Sequence, residues 1–219
     1  MKVLVFDTET NGLPEGYNIS IHETNKWPYM LQLSCILYDV EANNLIKQED
    51  WIIKIDDHID IPEECTAING ITRLQCKRTG VSIKHVLEKF NKLIIKADLT
   101  LAHNWHFDQN IIMVECLRNN IFCNLSYTAG ANRRPKYCSM KSGQSLCKIE
   151  KISRAGKKYF KYPTLSELHN HLFNSIPNNT HDAMVDILIC LRCFCKMKYD
   201  FDICKKNNKI NKIFKNYEI

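Results

Sequence analysis

Residues 2–14, KVLVFDTETNGLP, set the architecture of the chain. Residues 2–6 favour a β-strand and the Asn, Gly and Pro that follow favour a turn, so a first strand is expected to stop at Asp7. Asp7 and Glu9 stand two residues apart at its C-terminal end, and alternation along a strand points both carboxylates to one face. Close carboxylates repel each other unless a cation lies between them, which predicts Mg²⁺ or Mn²⁺. A solvent-facing acidic pair at a strand end is the alternative.

The rest of the chain alternates short apolar runs with helical patterns. A capping box of Thr164 and Glu167 marks one helix start, and Ser82 is a candidate N-cap for another. Strands followed by alternating helices and strands indicate an α/β domain with a mixed sheet. Further strands are predicted over 29–38, 50–55 and 98–102, and helices over 82–96, 106–118, from 165 and over 181–197.

A second acidic residue of interest lies in AHNWHFDQN, residues 102–110. Asp108 falls on the first turn of the helix that follows a strand, where it can face the same sheet edge. The alternative is that Asp108 has no role in a site and only interacts favourably with the positive end of the helix dipole. Asn104 orients a carboxylate or caps this helix, whereas His103 and His106 are assigned structural roles.

The third segment is HDAMVD, residues 181–186. His181 is expected at the start of the last helix and Asp186 about one and a half turns later. Asp186 falls within the apolar series Ala183, Ile187 and Cys190, so it points inward. A lone inward aspartate is unfavourable unless it is paired or bound to a metal.

Together, DTETNGLP, AHNWHFD and HDAMVD resemble the three exonuclease motifs of the DEDDh group, the DnaQ-like 3′→5′ exonucleases. This group includes polymerase proofreading subunits, RNase T and oligoribonuclease. TAINGIT (66–72) is similar to the family's stretch at the substrate end, and YPTLSELHNHLFN (162–174) to its approach to the third motif. The resemblance covers residues 1–197, predicted as the exonuclease domain, and leaves 198–219 as a basic C-terminal tail.

The resemblance implies an RNase H-like fold, with a central mixed five-stranded sheet flanked by helices. It also implies hydrolysis from the 3′ end of DNA, at single-stranded or mismatched ends, with two Mg²⁺ (or Mn²⁺) ions and release of nucleoside 5′-monophosphates. Asp7, Glu9 and Asp186 would hold the first ion. Asp7 would bridge to the second, which Asp108 binds. His181 would accept the proton of the attacking water.

The same resemblance suggests residues that contact the substrate end. Thr8 and Thr10 would meet the terminal nucleotide, and Leu13 would wedge against the last bases, with ordinary packing under a turn as its alternative. The remaining candidates on the substrate side are Asn69, Ile71 and Asn104. The family often has Thr where Asn11 stands and commonly has His at the Asn69 position, departures that bear on the grip of the terminal nucleotide rather than on hydrolysis.

Composition favours a folded protein of the cell interior. The 219 residues are 45% hydrophobic and 25% charged, which suits one globular domain. No run of about 18 apolar residues is present and acids occur close to the N-terminus, so neither a membrane span nor a signal peptide is expected. We therefore expect an intracellular protein, in the cytoplasm or nucleus. The Lys-, Asn- and Ile-rich ending is also compatible with a virus-encoded protein.

The 11 cysteines are interpreted as reduced thiols, because their number is odd and several lie in apolar runs. Cys190, Cys193 and Cys195 suggest zinc, but CxxCxC within one helical pattern does not present two separated ligand pairs.

The net charge of +6 is unevenly distributed. Residues 133–161 carry ten Lys and Arg against Glu150 alone, and residues 196–219 carry seven Lys against three acids. Basic segments on an otherwise acidic body suit nucleic acid as a partner. A solvated insertion and a tail kept soluble by lysines are the alternative.

Two further functions stay open at this point. An RNA-trimming exonuclease would share the fold and motifs, so sequence discriminates poorly between DNA and RNA. A non-catalytic nucleic-acid-binding module would normally show a broken carboxylate set, whereas all five residues stand here. A proofreading role would need a separate polymerase partner.

Overall fold

A five-stranded mixed sheet forms the centre of the molecule, as predicted. The computed structural model describes residues 1–125 and 135–219. The strand order is β3-β2-β1-β4-β5, with β1, β2 and β3 antiparallel and β4 and β5 parallel to β1. The strands are β1 (Lys2–Thr10), β2 (Met30–Asp39), β3 (Asn44–Ile52), β4 (Leu99–Ala102) and β5 (Lys136–Cys138).

β1 is the central strand because its apolar residues are buried on both faces. Val3, Leu4, Val5 and Phe6 are completely buried. The strand was predicted to stop at Asp7, but it continues to Thr10, because its pairing with β2 extends to the Thr10 and Met30 pair. The turn that the Asn, Gly and Pro residues favour therefore begins only after this pairing ends.

Nine α-helices are found in the described part of the chain. They are α1 (Glu63–Asn69), α2 (Arg73–Thr79), α3 (Ile83–Lys96), α4 (Trp105–Arg118), α5 (Ser139–Cys147), α6 (Leu165–Phe173), α7 (Ala183–Tyr199), α8 (Ile203–Lys206) and α9 (Asn208–Asn216). The predictions of α3, α4 and α6 are confirmed, and the Thr164–Glu167 capping box is formed. Ser82 occupies the N-cap of α3, although its side chain makes no capping hydrogen bond.

The helices cover the sheet in two groups. α3 and α4 pack with Leu4 and Phe6 in one core cluster, whereas α7 packs with Val3 and Val5 in another. Alternation along β1 therefore assigns Asp7 and Glu9 to the α7 side and Thr8 to the α4 side. This division determines which helix can approach each polar residue.

Two further predicted boundaries differ from the structure. The third strand was expected over 50–55 but covers Asn44–Ile52, because its pairing with β2 begins at the Asp39 and Asn44 pair. The last long helix was expected from residue 181 but begins at Ala183, since Asp182 is its N-cap. The Asp182 side chain accepts hydrogen bonds from the Met184 and Val185 backbone N–H groups.

The last part of the basic segment forms a small separate hairpin. β6 (Glu150–Ile152) and β7 (Lys158–Phe160) pair antiparallel, apart from the central sheet. Arg133 and Arg134 of the predicted basic segment lie outside the described residues.

Residues 198–219 contain two helices that pack on the domain. Ile203, Ile210 and Phe214 are buried in the same cluster as α7. The division of the chain at residue 197 stays a prediction.

The cysteines in the described residues are free thiols, as expected, and Cys190, Cys193 and Cys195 are buried. No helix in the described ranges has the length and apolar character that crossing a bilayer requires.

Candidate active site

Three carboxylates meet at the end of β1. Asp7, Glu9 and Asp186 each offer an oxygen, and these oxygens all lie within 4.8 Å of one another. Asp7 and Glu9 share the α7 face of β1, and Asp186 lies on the first turn of α7. Three oxygen ligands at this separation match the preference of a hard divalent cation. The structure thus brings together three of the four acids selected from the sequence.

Asp108 approaches β1 from the opposite side. Its Oδ1 accepts hydrogen bonds from the Thr8 N–H (3.0 Å) and the Thr8 hydroxyl (2.9 Å). Asp108 is buried on the first turn of α4, as predicted, but it is not part of the group of three. Its pKa nevertheless responds to the charge of Asp186. Asp108 therefore flanks the cluster and is held by Thr8.

Burial and mutual repulsion raise the pKa of all four acids. The pKa of Asp7 is raised well above its ordinary value, first by burial and then by the charges of Asp108 and Asp186. The pKa of Glu9 is raised to about 8, mainly by burial and then by Asp186. Burial is also the main reason that the pKa values of Asp108 and Asp186 are raised to about 7. A site that disfavours its own negative charge is one that a cation would stabilise.

The buried oxygen Oδ1 of Asp186 is the clearest sign that the site fits a metal. This atom has no hydrogen-bond partner among the described residues. A buried carboxylate oxygen without a partner is unfavourable, and metal coordination is one way to satisfy it. The donor set, made only of carboxylates, suits Mg²⁺ or Mn²⁺ better than softer metals.

His181 lies just outside α7, not at its start as expected. Its backbone has a φ of 76°, in the left-handed region, and its ring is exposed. The His181 N–H donates to Asp186 Oδ2 at 3.4 Å. This backbone contact ties the exposed histidine to the carboxylate cluster.

A polar network that sequence reasoning missed holds the start of α7 in place. Buried Gln32, which pairs with Glu9 across β1 and β2, accepts a hydrogen bond from the Ala183 N–H at 3.3 Å. Its amide donates to Asp50 Oδ1 at 2.9 Å. The signal in the sequence was a glutamine inside the largely apolar run MLQLSCIL. Asp182 was also missed: its charge raises the pKa of Asp7, Glu9 and Asp186.

Among the proposed substrate contacts, Leu13 presents an apolar side chain to solvent. Its side chain is 79% exposed, so packing under the turn does not explain it. Thr8 is buried and engaged with Asp108, and the Thr10 hydroxyl donates to the Gly12 carbonyl at 2.7 Å. Both threonine hydroxyls are thus engaged in hydrogen bonds within the protein.

Asn69 joins α1 to the end of β1. Its amide donates to the Thr10 carbonyl at 3.2 Å, and its Oδ1 accepts from the Ile71 N–H at 3.0 Å. Burial, the largest cause, raises the pKa of Glu9, whereas the Asn69 side chain lowers it. Ile71 is 3% exposed and packs in a small apolar cluster with Leu31. Its expected role as a substrate contact is not supported, because its side chain is enclosed by core residues.

The remaining polar residues near this edge have mixed roles. Asn104 occupies the N-cap of α4 with a φ of 64°, and its side chain makes no capping hydrogen bond. His103 is structural: its ring contacts Ser139 Oγ (2.9 Å) and the Pro163 carbonyl (3.1 Å), and burial lowers its pKa to about 4. The exposed His106 contacts the Asn110 amide at 3.2 Å.

Solved structures share this fold. E. coli exonuclease I in complex with a dA16 oligonucleotide is 21% identical, with a TM-score of 0.64, over 90% of this chain and 41% of that chain. The zinc-bound form of the E. coli ExoI–ssDNA complex is 19% identical, with a TM-score of 0.63, over 90% and 41%. Exonuclease I from Methylocaldum szegediense is 16% identical, with a TM-score of 0.65, over 90% and 40%. The chain thus spans about two fifths of the length of these proteins, and the likeness shows the fold.

No curated protein matches the chain significantly. The family model RNase_T, described as an exonuclease, matches residues 4–194, which include all three acidic segments. The chain therefore belongs to the RNase T exonuclease family.

Proposed function

We propose that the protein is a 3′→5′ exonuclease that removes nucleoside 5′-monophosphates from DNA with single-stranded or mismatched 3′ ends. The observation that carries this proposal is the meeting of Asp7, Glu9 and Asp186 at the end of β1, with an unpartnered carboxylate oxygen among them. Family membership supports it. The E. coli and Methylocaldum proteins named above share the fold, and the former was solved with single-stranded oligonucleotides.

In this proposal two divalent cations, Mg²⁺ or Mn²⁺, bind at the acidic residues. Asp7, Glu9 and Asp186 would hold the first, and Asp7 and Asp108 the second. When bound, such cations supply positive charge that stabilises the phosphate in the transition state and favours deprotonation of the attacking water. Thr8 fixes Asp108 through two hydrogen bonds to one oxygen, which leaves the other oxygen of Asp108 for the site.

His181 would act as the general base. Its exposed ring lies on a residue whose N–H is bonded to Asp186, so the ring stands beside the cluster without being enclosed by it. An accessible imidazole next to the acids is suited to take a proton from the attacking water and pass it to solvent.

The end of β1 would recognise the 3′ terminus. Leu13 offers an exposed apolar side chain that can pack against the last base, while Thr10 and Asn69 shape the backbone beside it. A polymerase partner and a location in the cytoplasm, the nucleus or a virus-infected cell stay predictions.

The proposal is tested by digesting single strands, duplexes, mismatched ends and RNA of equal length, labelled at either end. We expect Mg²⁺-dependent release of mononucleotides from the 3′ end of DNA, and no release in excess chelator. A 3′-phosphate should block digestion, whereas a 5′-phosphate should not. Faster release from RNA would favour the RNA-trimming alternative. Binding without hydrolysis of any substrate would favour a non-catalytic module.

A further inference from the structure

The residues 148–161, called the basic hairpin below, project from the domain. All six strand residues of β6 and β7 are exposed on both faces of the two-stranded sheet. A two-stranded hairpin that buries neither face contributes little to a core and is marginally stable alone. We therefore attribute a role to the side chains on the exposed surface of the hairpin, since packing in a core does not account for it.

The hairpin turn is well formed. The Ser153 N–H donates to the Lys157 carbonyl at 2.9 Å, and the Gly156 N–H donates to the Ser153 carbonyl at 2.9 Å. Gly156 has a φ of 76°, which suits glycine. The Lys157 N–H also donates to the Ser153 hydroxyl at 3.1 Å. These contacts give the tip a defined shape.

The base of the hairpin is fixed to the domain. Gln144 of α5 donates to the Phe160 carbonyl at 2.8 Å, and the Lys161 ammonium pairs with Glu167 of α6 at 2.5 Å. α5 lies so close to Pro163 that a Cβ on Gly143 would stand 3.0 Å from the proline ring. The hairpin therefore emerges from a rigid support.

This support lies at the edge of the sheet that carries the acids. The Pro163 carbonyl contacts His103, the residue directly after β4. β4 is paired with β1 so that Leu101 lies opposite Val5, which places His103 level with Asp7. Phe160 and Pro163 are three positions apart, a separation that spans at most about 10 Å. The base of the hairpin is thus close to the sheet edge that carries the carboxylate cluster.

The chemistry of the hairpin surface is cationic and aromatic. Lys148, Lys151, Arg154 and Lys157 are exposed and form no ion pair within the described residues. Glu150, the acid of the hairpin, is paired with Lys158 at 3.5 Å. Two aromatic side chains, Tyr159 and Phe160, are 47% and 44% exposed.

We propose that the basic hairpin is an arm that holds the single-stranded part of the substrate several nucleotides before its 3′ end. The cations would follow the phosphates and Tyr159 or Phe160 would stack on bases, a combination typical of sequence-independent single-strand binding. The proposal deepens the proposed function and rests on it. It narrows the broader expectation for residues 133–161 to the hairpin, because the strand residues of the hairpin are exposed whereas Lys161 is engaged with Glu167.

The test compares two charge-matched triple variants of the full chain. The arm variant is Lys151→Gln, Arg154→Gln and Lys157→Gln. The control is Lys84→Gln, Lys89→Gln and Lys92→Gln, three exposed lysines of α3, which packs in the core cluster on the other side of the sheet. Fluorescence anisotropy measures binding of 5′-labelled oligothymidylates of about 4 and about 20 nucleotides in an Asp7→Asn background, where hydrolysis is prevented.

For the long strand, the arm variant should bind on the order of tenfold more weakly at low salt. Its slope of log affinity against log salt should become shallower by about 0.7 per lost phosphate contact. The short strand should bind both variants alike, because it cannot reach the arm. Equal losses in the arm and control variants, or an unchanged salt slope in the arm variant, would overturn the proposal.

Separate readouts distinguish failure of the arm from failure of the proposed function. With Asp7 intact, the arm variant should show a raised KM on long single strands and an unchanged kcat. The parent protein could hydrolyse no nucleic acid while the arm variant still loses length-dependent binding. That result would contradict the proposed function and support the proposed role of the arm. Tyr159→Leu keeps an apolar side chain without a π-face, and we expect it to weaken long-strand binding about fivefold or more.

Discussion

The buried Oδ1 atom of Asp186 accepts no hydrogen bond from the described residues, although the same carboxylate receives the His181 N–H on its other oxygen. The pKa of Asp186 is raised to about 7, first by burial. Without a metal, this residue therefore destabilises the fold when it is ionised. In such a site the same buried charges lower the stability of the metal-free protein and raise its affinity for a cation.

Asp186→Asn should affect activity and stability in opposite directions. Turnover should be nearly eliminated, because one of the three clustered carboxylates is lost. In chelator at pH 8 the variant should melt several degrees above the parent, since about 1 kcal/mol shifts the melting temperature by about 2–4 °C in a chain of this size. Circular dichroism melts check this, with exposed Asp56→Asn as the control. A melting temperature below that of the parent would contradict the assignment of the destabilising charge to Asp186.

His181→Ala tests the proposed general base. We expect a loss of about 10²–10⁴-fold in kcat, which is the usual contribution of general base catalysis. Metal binding should persist, because His181 contacts Asp186 through its backbone N–H and an alanine keeps that group. Single-turnover kinetics and metal titration provide the two measurements. If the variant turns over like the parent, the base is another residue, and exposed His106 is the next to replace.

At the level of elements, the loop between α6 and α7 connects the catalytic edge with the end of the chain. Asn178 donates to the Glu218 carbonyl at 3.4 Å, and Asn179 donates to the Tyr217 carbonyl at 3.2 Å. Asn179 and His181 both have positive φ values, of 56° and 76°. His181 thus follows directly on a loop that is hydrogen-bonded to the residues after α9.

Removing these contacts should lower kcat with little change in KM. We expect the double variant Asn178→Ala and Asn179→Gly to lose about tenfold in kcat, because a displacement of about 1 Å can reduce turnover up to 100-fold. Glycine at 179 retains the positive φ, so the loss reports the missing donor. Asn170→Ala, on the exposed surface of α6, is the control. A raised KM with normal kcat would show that the loop serves substrate binding instead.

For the whole molecule, the four acids make the stability of the metal-free protein depend on pH. The folded pKa of Glu9 is raised to about 8 and those of Asp108 and Asp186 to about 7, against ordinary values near 4. Between pH 4 and pH 8 the folded state therefore binds more protons than the unfolded state. The stabilisation that protonation gives is fully present below about pH 4 and is lost as the pH rises through 7 to 8.

Divalent cations should reverse this loss. Mg²⁺ or Mn²⁺ at about 100 times its dissociation constant adds about 2.7 kcal/mol, or roughly 5–10 °C in melting temperature. The increase should be larger at pH 8 than at pH 5, because protons compete with the metal for the same oxygens. Differential scanning calorimetry with and without chelator measures it. An increase that is independent of pH would contradict metal binding at these carboxylates.

The sequence alone determined those features that depend on neighbours in the chain. The alternation of β1 put Asp7 and Glu9 on one face, and the capping box defined the start of α6. The resemblance of three short motifs was sufficient to indicate the family, which the match over residues 4–194 confirms. These signals are local, because side-chain alternation and helix capping act over a few residues.

Only the tertiary structure decided how distant residues meet. Thr8 and Asp108 are 100 positions apart, and Gln32 and Ala183 are 151 apart, yet each pair is joined by a hydrogen bond. Burial of Ile71 and projection of the basic hairpin depend in the same way on which surfaces the folded chain encloses. A periodic pattern fixes the face on which a side chain lies. The partner that meets it there is set by packing between elements far apart in the chain.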